Sequence, residues 1–296
     1  RDLHSFPTRR SSDLIKMPKY STDYSLPEFF AVCSARQIED GEVVFAGIGS
    51  PLLGAMLAKQ THAPNCIIVT ECGGIGPETD RTFLGIGDNV CVENAISNNS
   101  LWRLFADQQG GFIDIGMIGG AQVDKWGNLN STAIFGDGDY YSPKTRLPGS
   151  GGANDIASSA GRFIITTPLD KRRFVERVDY ITSPGYIDGP DGRTKNGLPG
   201  GGPSAIITNK AIFKFDKATG EAYLDQVKSG VTIQEVIDNV GWDLKVSSNV
   251  TEIEEPTVEQ IEVVRTLDEY KIFTGDGMSK LTFENLLQMH YKAFEK

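Results

Sequence analysis

Apolar residues in this chain fall into short runs that alternate with stretches of helical period, and glycine-rich turns stand between them. Ser25-Leu26-Pro27-Glu28 has the form of a capping box with a proline in the first turn. Phe29, Phe30, Val32, Cys33 and Ile38 then supply the apolar face of a helix ending near Gly41. Val43-Val44-Phe45-Ala46 reads as a strand that runs into Gly47-Ile48-Gly49-Ser50-Pro51 and a helix over 52–60. The run Cys66-Ile67-Ile68-Val69 predicts the next strand, over 66–70. Two strands joined through one helix form a βαβ unit, which implies a parallel pair.

The same pattern continues. Residues 100–109 read as a helix with Leu101, Trp102, Leu104 and Phe105 inward, and 112–118 as a further strand. Residues 119–154 are long, polar and glycine-rich, and Trp126, Phe135, Tyr140 and Tyr141 within them argue for a functional loop rather than disorder. Phe163-Ile164-Ile165-Thr166-Thr167 is another strand, and 187–203 is a Gly/Pro-rich loop. Residues 204–216 and 222–227 read as a hairpin joined near Lys217-Ala218-Thr219-Gly220. Helices over 232–240 and 257–269 close the unit, and 281–296 read as an amphipathic terminal helix with Phe283, Leu286, Leu287 and Tyr291 on one side. The expected fold is therefore α/β: an open, mostly parallel sheet with flanking helices, a β-hairpin and C-terminal helices. Residues 1–14 show no packable period and read as a non-native or disordered leader, 17–275 as one domain, and 276–296 as a C-terminal helical tail.

Composition narrows the function. The balance of 29 basic against 39 acidic residues gives a net charge of −10, which disfavours a general nucleic-acid or anionic-membrane surface. No apolar run approaches a membrane span. Cys33, Cys66, Cys72 and Cys91 form no C-x-x-C pair and read as reduced thiols of a cytoplasmic protein, Cys72 as a small side chain tucked under its turn. The three histidines, His4, His62 and His290, lie in contexts that suggest no chemistry. There is no G-x-S-x-G elbow, no P-loop, no complete G-x-G-x-x-G and no His/Cys clustering at metal-ligand spacing, so neither a metal site nor a permanently bound cofactor is expected.

Carboxylate chemistry remains. In Thr70-Glu71-Cys72-Gly73-Gly74-Ile75-Gly76, a glutamate leaves the end of a buried strand into a turn whose glycines let a bulky ligand approach. Such a glutamate serves as a nucleophile, a base or a plain turn residue. Gly47-Ile48-Gly49 opens a helix and so favours an anion, and Gly149-Ser150-Gly151-Gly152-Ala153-Asn154-Asp155 offers amides unobstructed by side chains. Amides aimed at a carbonyl oxygen make an oxyanion hole.

As an ordered set these motifs resemble the β subunit of a family I CoA-transferase, most of all the glutaconate CoA-transferase B-subunit branch. The likeness is carried by Gly47-Ile48-Gly49-Ser50-Pro51, Glu71-Cys72-Gly73, Gly119-Gly120-Ala121-Gln122-Val123-Asp124 and Gly127-Asn128-Leu129-Asn130-Ser131-Thr132. Tyr141-Ser142-Pro143-Lys144-Thr145-Arg146, Gly149 to Asn154, Lys171-Arg172-Arg173-Phe174 and Thr182-Ser183-Pro184-Gly185-Tyr186-Ile187-Asp188-Gly189 also match, and the likeness spans about residue 20 to about residue 265. The resemblance implies Glu71 as the catalytic residue, with Gly47, Gly49, Gly151 and Gly152 around acyl-CoA. Gly152 is the more favoured of its pair to hold the thioester oxygen. It implies coenzyme A and acyl-CoA as substrates and a homologous α-type subunit as partner. Two departures stand out: Phe45 where the 3-oxoacid branch has asparagine, and Cys72 where serine or asparagine is usual. A CoA-ester hydrolase, lyase or decarboxylase on the same scaffold, and a non-catalytic partner subunit, are the alternative readings.

Overall fold

The computed structural model describes residues 18–79, 81–280 and, beyond these, 282, 284 and 288. Ser25 caps the first helix as its sequence predicts: its side chain accepts from the Glu28 amide while the Glu28 carboxylate accepts from the Ser25 amide. The elements follow in chain order. They are α1 (Leu26–Ala35), β1 (Val43–Ala46), α2 (Ser50–Gln60), β2 (Ile67–Val69), β3 (Gly74–Ile75), β4 (Ser97–Asn98), α3 (Leu101–Gln109) and β5 (Ile115–Ile118). Small ladders β6 (Gln122–Val123), β7 (Leu129–Asn130), β8 (Ala133–Ile134) and β9 (Thr145–Arg146) precede α4 (Ala153–Ser159) and β10 (Arg162–Thr166). Then come α5 (Gly192–Lys195), β11 (Pro203–Ile207), β12 (Ala211–Phe215), β13 (Ala222–Val227), α6 (Ile233–Asp238), β14 (Lys245–Glu252) and α7 (Val258–Leu267).

Ten strands form one sheet in the order β14-β13-β12-β11-β10-β5-β1-β2-β3-β4. The middle five, β11-β10-β5-β1-β2, are all parallel, with Val43 opposite Ile67 and Val44 opposite Ile115. Their side chains alternate with period two, so each strand feeds two cores. Val44, Ala46, Ile68 and Ile164 join α1, α2 and α7 on one face. Phe45, Val69, Phe163 and Ile165 join Leu104, Ile156, Phe174 and Trp242 on the other. Burying one such side chain fully is worth about 1.5–3 kcal/mol, so two filled faces are what make the parallel strands stable.

The chain passes from β1 to β2 on one side and later to β5 on the other, which makes β1 the topological switch point. Ligands of open α/β sheets gather beyond the carboxyl ends of the strands at such a point. The turns after β1 and β2 lie there.

Three sequence expectations need correction. The stretch 204–216 is not one strand of a hairpin. It folds at 208–210, where Thr208 Oγ1 accepts from the amides of Lys210 and Ala211, and yields antiparallel β11 and β12. The outermost strand, β14, is not foreseen by the pattern, because Lys245-Val246-Ser247-Ser248-Asn249-Val250-Thr251-Glu252 buries little and shows no apolar alternation; pairing with β13 makes it a strand. The first helix stops at Ala35 rather than near Gly41, with Gln37 and Ile38 turning back to the carbonyls of Ser34 and Ala35. The leader 1–14, most of the terminal helix over 281–296, His4 and His290 lie outside the described residues.

Candidate active site

The turn that carries Glu71 is built by its neighbours. Thr70, buried, accepts from the Gly74 amide at 3.2 Å and donates to the Cys91 carbonyl at 3.2 Å, while the Gly73 amide closes onto the Thr70 carbonyl at 2.9 Å. Gly73 sits at φ +109°, and a Cβ there would lie 1.8 Å from the Asn99 carbonyl oxygen. A Cβ on Gly74 would lie 2.2 Å from the Cys91 carbonyl oxygen. These two glycines therefore serve close packing of the turn against 91 and 99, and not, as the sequence suggests, the approach of a ligand. Cys72 turns the other way from its neighbour: its sulfur meets Thr70 Oγ1 at 3.2 Å and packs against the α1/α2 core, under the turn as expected.

Room beside the carboxylate comes from a distant glycine instead. Glu71 is half-buried, and its Oε1 lies 3.2 Å from where a Cβ on Gly152 would sit. The same absent Cβ would lie 2.7 Å from the Phe105 ring. Phe105 in turn packs on Phe45, with ring centres 5.9 Å apart. Phe45 is thus a buried support for the wall of the site. Among the described residues no ion pair or hydrogen bond engages the Glu71 carboxylate, and the Gly151 and Gly152 amides have no acceptor.

Glu71, Phe105, Gly151 and Gly152 line an open cleft of about 520 Å³ with Leu101, Trp102, Ala106, Gln109 and Asp155. Gln109 donates to Asp155 across its end at 3.0 Å. Leu101 and Trp102 do not face inward, contrary to the helical pattern. Leu104 and Gln108 form the buried face of α3, whereas Trp102 is 71% exposed at the cleft's rim. Of the predicted site residues, Glu71, Gly151 and Gly152 come together. Gly47 and Gly49 follow the adjacent strand and do not line the cleft; Gly49, at φ +105°, starts α2. His62 is anchored against the carbonyls of Ala35 and Ile38 and the Thr61 hydroxyl, away from the cleft. A larger cavity, about 700 Å³, lies between α2 and 77–94 around the Arg81–Glu93 ion pair and contains none of the predicted residues.

Two supports escape a reading of the sequence. Gly116, in β5, leaves the space into which Ile156 of α4 descends: a Cβ there would lie 2.1 Å from its side chain. Arg193 is buried and donates to five carbonyls, those of Ala157 and Ser158 at the end of α4, Gly200, Pro184 and Gly185, all within 3.1 Å. Burial holds its guanidinium below its ordinary pKa. The five bonds tie α4, and with it Gly152, to the 184–200 loop. Nearby, buried Asp124 accepts from the amides of Trp126 and Asn128 and from Asn128 Nδ2, and burial pushes its carboxyl up to about 6. No described helix is long and apolar enough to cross a membrane.

Residues 29–239 match the family profile of coenzyme A transferase. The chain belongs to that family. Within it, the chain is similar to B subunits. It is 40% identical over 248 residues to the B subunit of the 3-oxoadipate CoA-transferase of Pseudomonas knackmussii, covering 83% of this chain and 94% of that one. It is 41% identical over 253 residues to the B subunit of the glutaconate CoA-transferase of Acidaminococcus fermentans, covering 82% and 92%. The crystal structure of the Acidaminococcus fermentans glutaconate CoA-transferase superposes with a TM-score of 0.80 at 39% identity, over 87% of this chain and 99% of that chain. The resemblance read from the motifs and the expected open α/β sheet are both borne out.

Proposed function

We propose that this chain is the B-type half of a two-subunit CoA-transferase in which Glu71 carries CoA between two carboxylic acids. The observation that supports this reading is the unpaired Glu71 carboxylate beside Gly152 in an open cleft. The carboxylate attacks an acyl-CoA carbonyl, breaking the C–S bond and giving a mixed anhydride and CoA thiolate. The thiolate attacks the glutamyl carbonyl of the anhydride, which forms a Glu71–CoA thioester and releases the first acid. A second carboxylate repeats the sequence in reverse and leaves as the new CoA ester. Each attack puts negative charge on an oxygen, and an amide without another acceptor, as at Gly151 and Gly152, stabilises it by roughly 3 kcal/mol.

The partner is a homologous α-type chain, as the relatives that are themselves B subunits suggest. Its place is over the cleft, where it keeps water from the thioester. The substrates are acids of the glutaconate, 3-oxoadipate or 3-oxoacid kind. Among the described residues no lysine or arginine lines the cleft, so a second carboxylate on the substrate finds its cation on the partner. Four free cysteines fit a cytoplasmic setting. The test is trapping. Incubating the co-expressed pair with glutaconyl-, acetyl- or 3-oxoacyl-CoA and then hydroxylamine or borohydride is expected to modify Glu71, located by mass spectrometry. Turnover with no modified Glu71 would reject the mechanism.

A further inference from the structure

The 700 Å³ cavity lies across the sheet from the cleft. Its floor is apolar: Leu52 and Met56 of α2, Ile68 of β2 and Phe83 are all buried and belong to the core under α1, α2 and α7. Phe105, which walls the cleft, packs on the opposite core. Among the described residues none lines both. The wall facing α2 is braced from within. The Glu78 amide donates to the Glu93 carbonyl at 3.0 Å, and Asn94 Nδ2 donates to the Glu78 carbonyl at 3.2 Å. The Thr82 amide ties the segment to the Leu267 carbonyl, at the end of α7, at 3.1 Å. Such a hollow is preformed and falls within the size range of small-molecule sites.

Two charges at the cavity remain to be matched. Arg81 and Glu93 pair at 3.1 Å and neutralise each other. Lys59, half-buried on α2, donates to the Cys66 carbonyl at 3.0 Å. An ammonium carries three donors, and among the described residues nothing else accepts from this one. Glu78 is on the facing wall, and among the described residues its carboxylate has no partner. A spare cation and a spare anion thus stand on opposite walls above an apolar floor.

We propose that this cavity is a second small-molecule site, and that its ligand is an amphipathic zwitterion of the α-amino acid type with a large apolar side chain. The ligand's carboxylate takes the spare Lys59 donors, its ammonium meets Glu78, and its side chain lies on Leu52, Met56, Ile68 and Phe83. An aromatic side chain suits this floor, because the Phe83 ring and the Met56 thioether both gain from contact with a ring. A ligand with only one of the two charges leaves the other group unmatched and binds less tightly. Binding uses neither Glu71 nor acyl-CoA, so the site stands apart from the transfer reaction.

L-Phenylalanine is the probe. The comparators are 3-phenylpropanoate, which lacks the ammonium, and 2-phenylethylamine, which lacks the carboxylate. Each is titrated by calorimetry into the full chain co-expressed with its α-type partner. Phenylalanine is expected to bind, and either comparator to bind at least about tenfold more weakly. Hydrogen exchange over 77–94 should slow, and saturating CoA should leave the affinity unchanged. Lys59→Met is expected to weaken phenylalanine at least about tenfold and to keep transfer activity, which reports that it folds. No binding of phenylalanine at millimolar concentration overturns the proposal, as does equal binding of all three compounds to the native chain or displacement by CoA. A protein that binds as expected but transfers nothing would count against the transferase mechanism alone.

Discussion

Glu71 Oε1 lies 3.2 Å from the vacant Cβ position of Gly152, so two turns far apart in sequence meet at one carboxylate. Gly152 has φ −76° and ψ −6°, which any residue adopts, so only space requires a glycine here. Gly152→Ala is expected to fold, since overpacking costs about 1–3 kcal/mol. Its methyl presses on Phe105 and on the carboxylate, and kcat is expected to fall at least about tenfold. Steady-state kinetics beside a thermal melt would check it; an unchanged kcat would show that the contact has no catalytic weight.

Glu71→Gln keeps the shape of the side chain and removes the proposed nucleophile. Transfer is expected to fall by more than about a thousandfold. No described group pairs with the carboxylate, so the unfolding midpoint should move little. Activity and urea denaturation of the same sample separate the two effects. A large loss of stability would mean that the side chain holds the fold together.

Arg193→Met leaves five carbonyls without their common donor. A loss of about 3 kcal/mol or more is expected from denaturant unfolding. Lysine does not rescue it, because a single ammonium does not reproduce the fork that reaches all five. Where the variants still fold, kcat should fall more than KM rises, because α4 carries Gly152 but not the whole cleft.

Asp124 titrates at about 6 in the fold against 3.8 in the free side chain, because burial outweighs the hydrogen bonds it accepts. The folded chain thus holds a proton that the unfolded chain gives up between about pH 4 and pH 6. The contribution of Asp124 to stability is full below that window and falls as pH rises through it, by roughly 3 kcal/mol for two pH units. Subtracting the stability of Asp124→Asn from that of the native sequence should give a difference that declines across pH 4–6. A flat difference would show that Asp124 ionises as it does in water.

The strands are legible in the sequence because their apolar runs are short, dense and bounded by glycine. Ile67, Ile68 and Val69 need no context to read as β. Glu71 stands out for a related reason: a carboxylate leaves the end of such a run into a glycine-rich turn, and the structure sets it at an open cleft. What the sequence does not carry is what depends on contact. Trp102 has the spacing of an inward residue but rims the cleft, because Leu104 and Gln108 already fill the buried side of α3. Arg193 lies in α5, one helical turn inside a Gly/Pro-rich stretch that reads as loop, and its five acceptors are backbone carbonyls, which leave no mark in sequence. β14 lacks apolar alternation because an edge strand with little to bury needs none. Gly73 and Gly74 stand out in the sequence, but their reason does not: the carbonyls they approach come from 99 and 91.

Gly116 leaves a notch in the middle of the sheet, and Ile156 seats in it like a key. Any larger residue there would lift the helix and carry the Gly152 amide, the proposed oxyanion donor, out of alignment. Under the proposed mechanism, reactivity at the rim is therefore hostage to a hydrogen atom deep inside. A survey that scored variants only by solubility would file Gly116 under architecture and miss its bearing on the proposed chemistry.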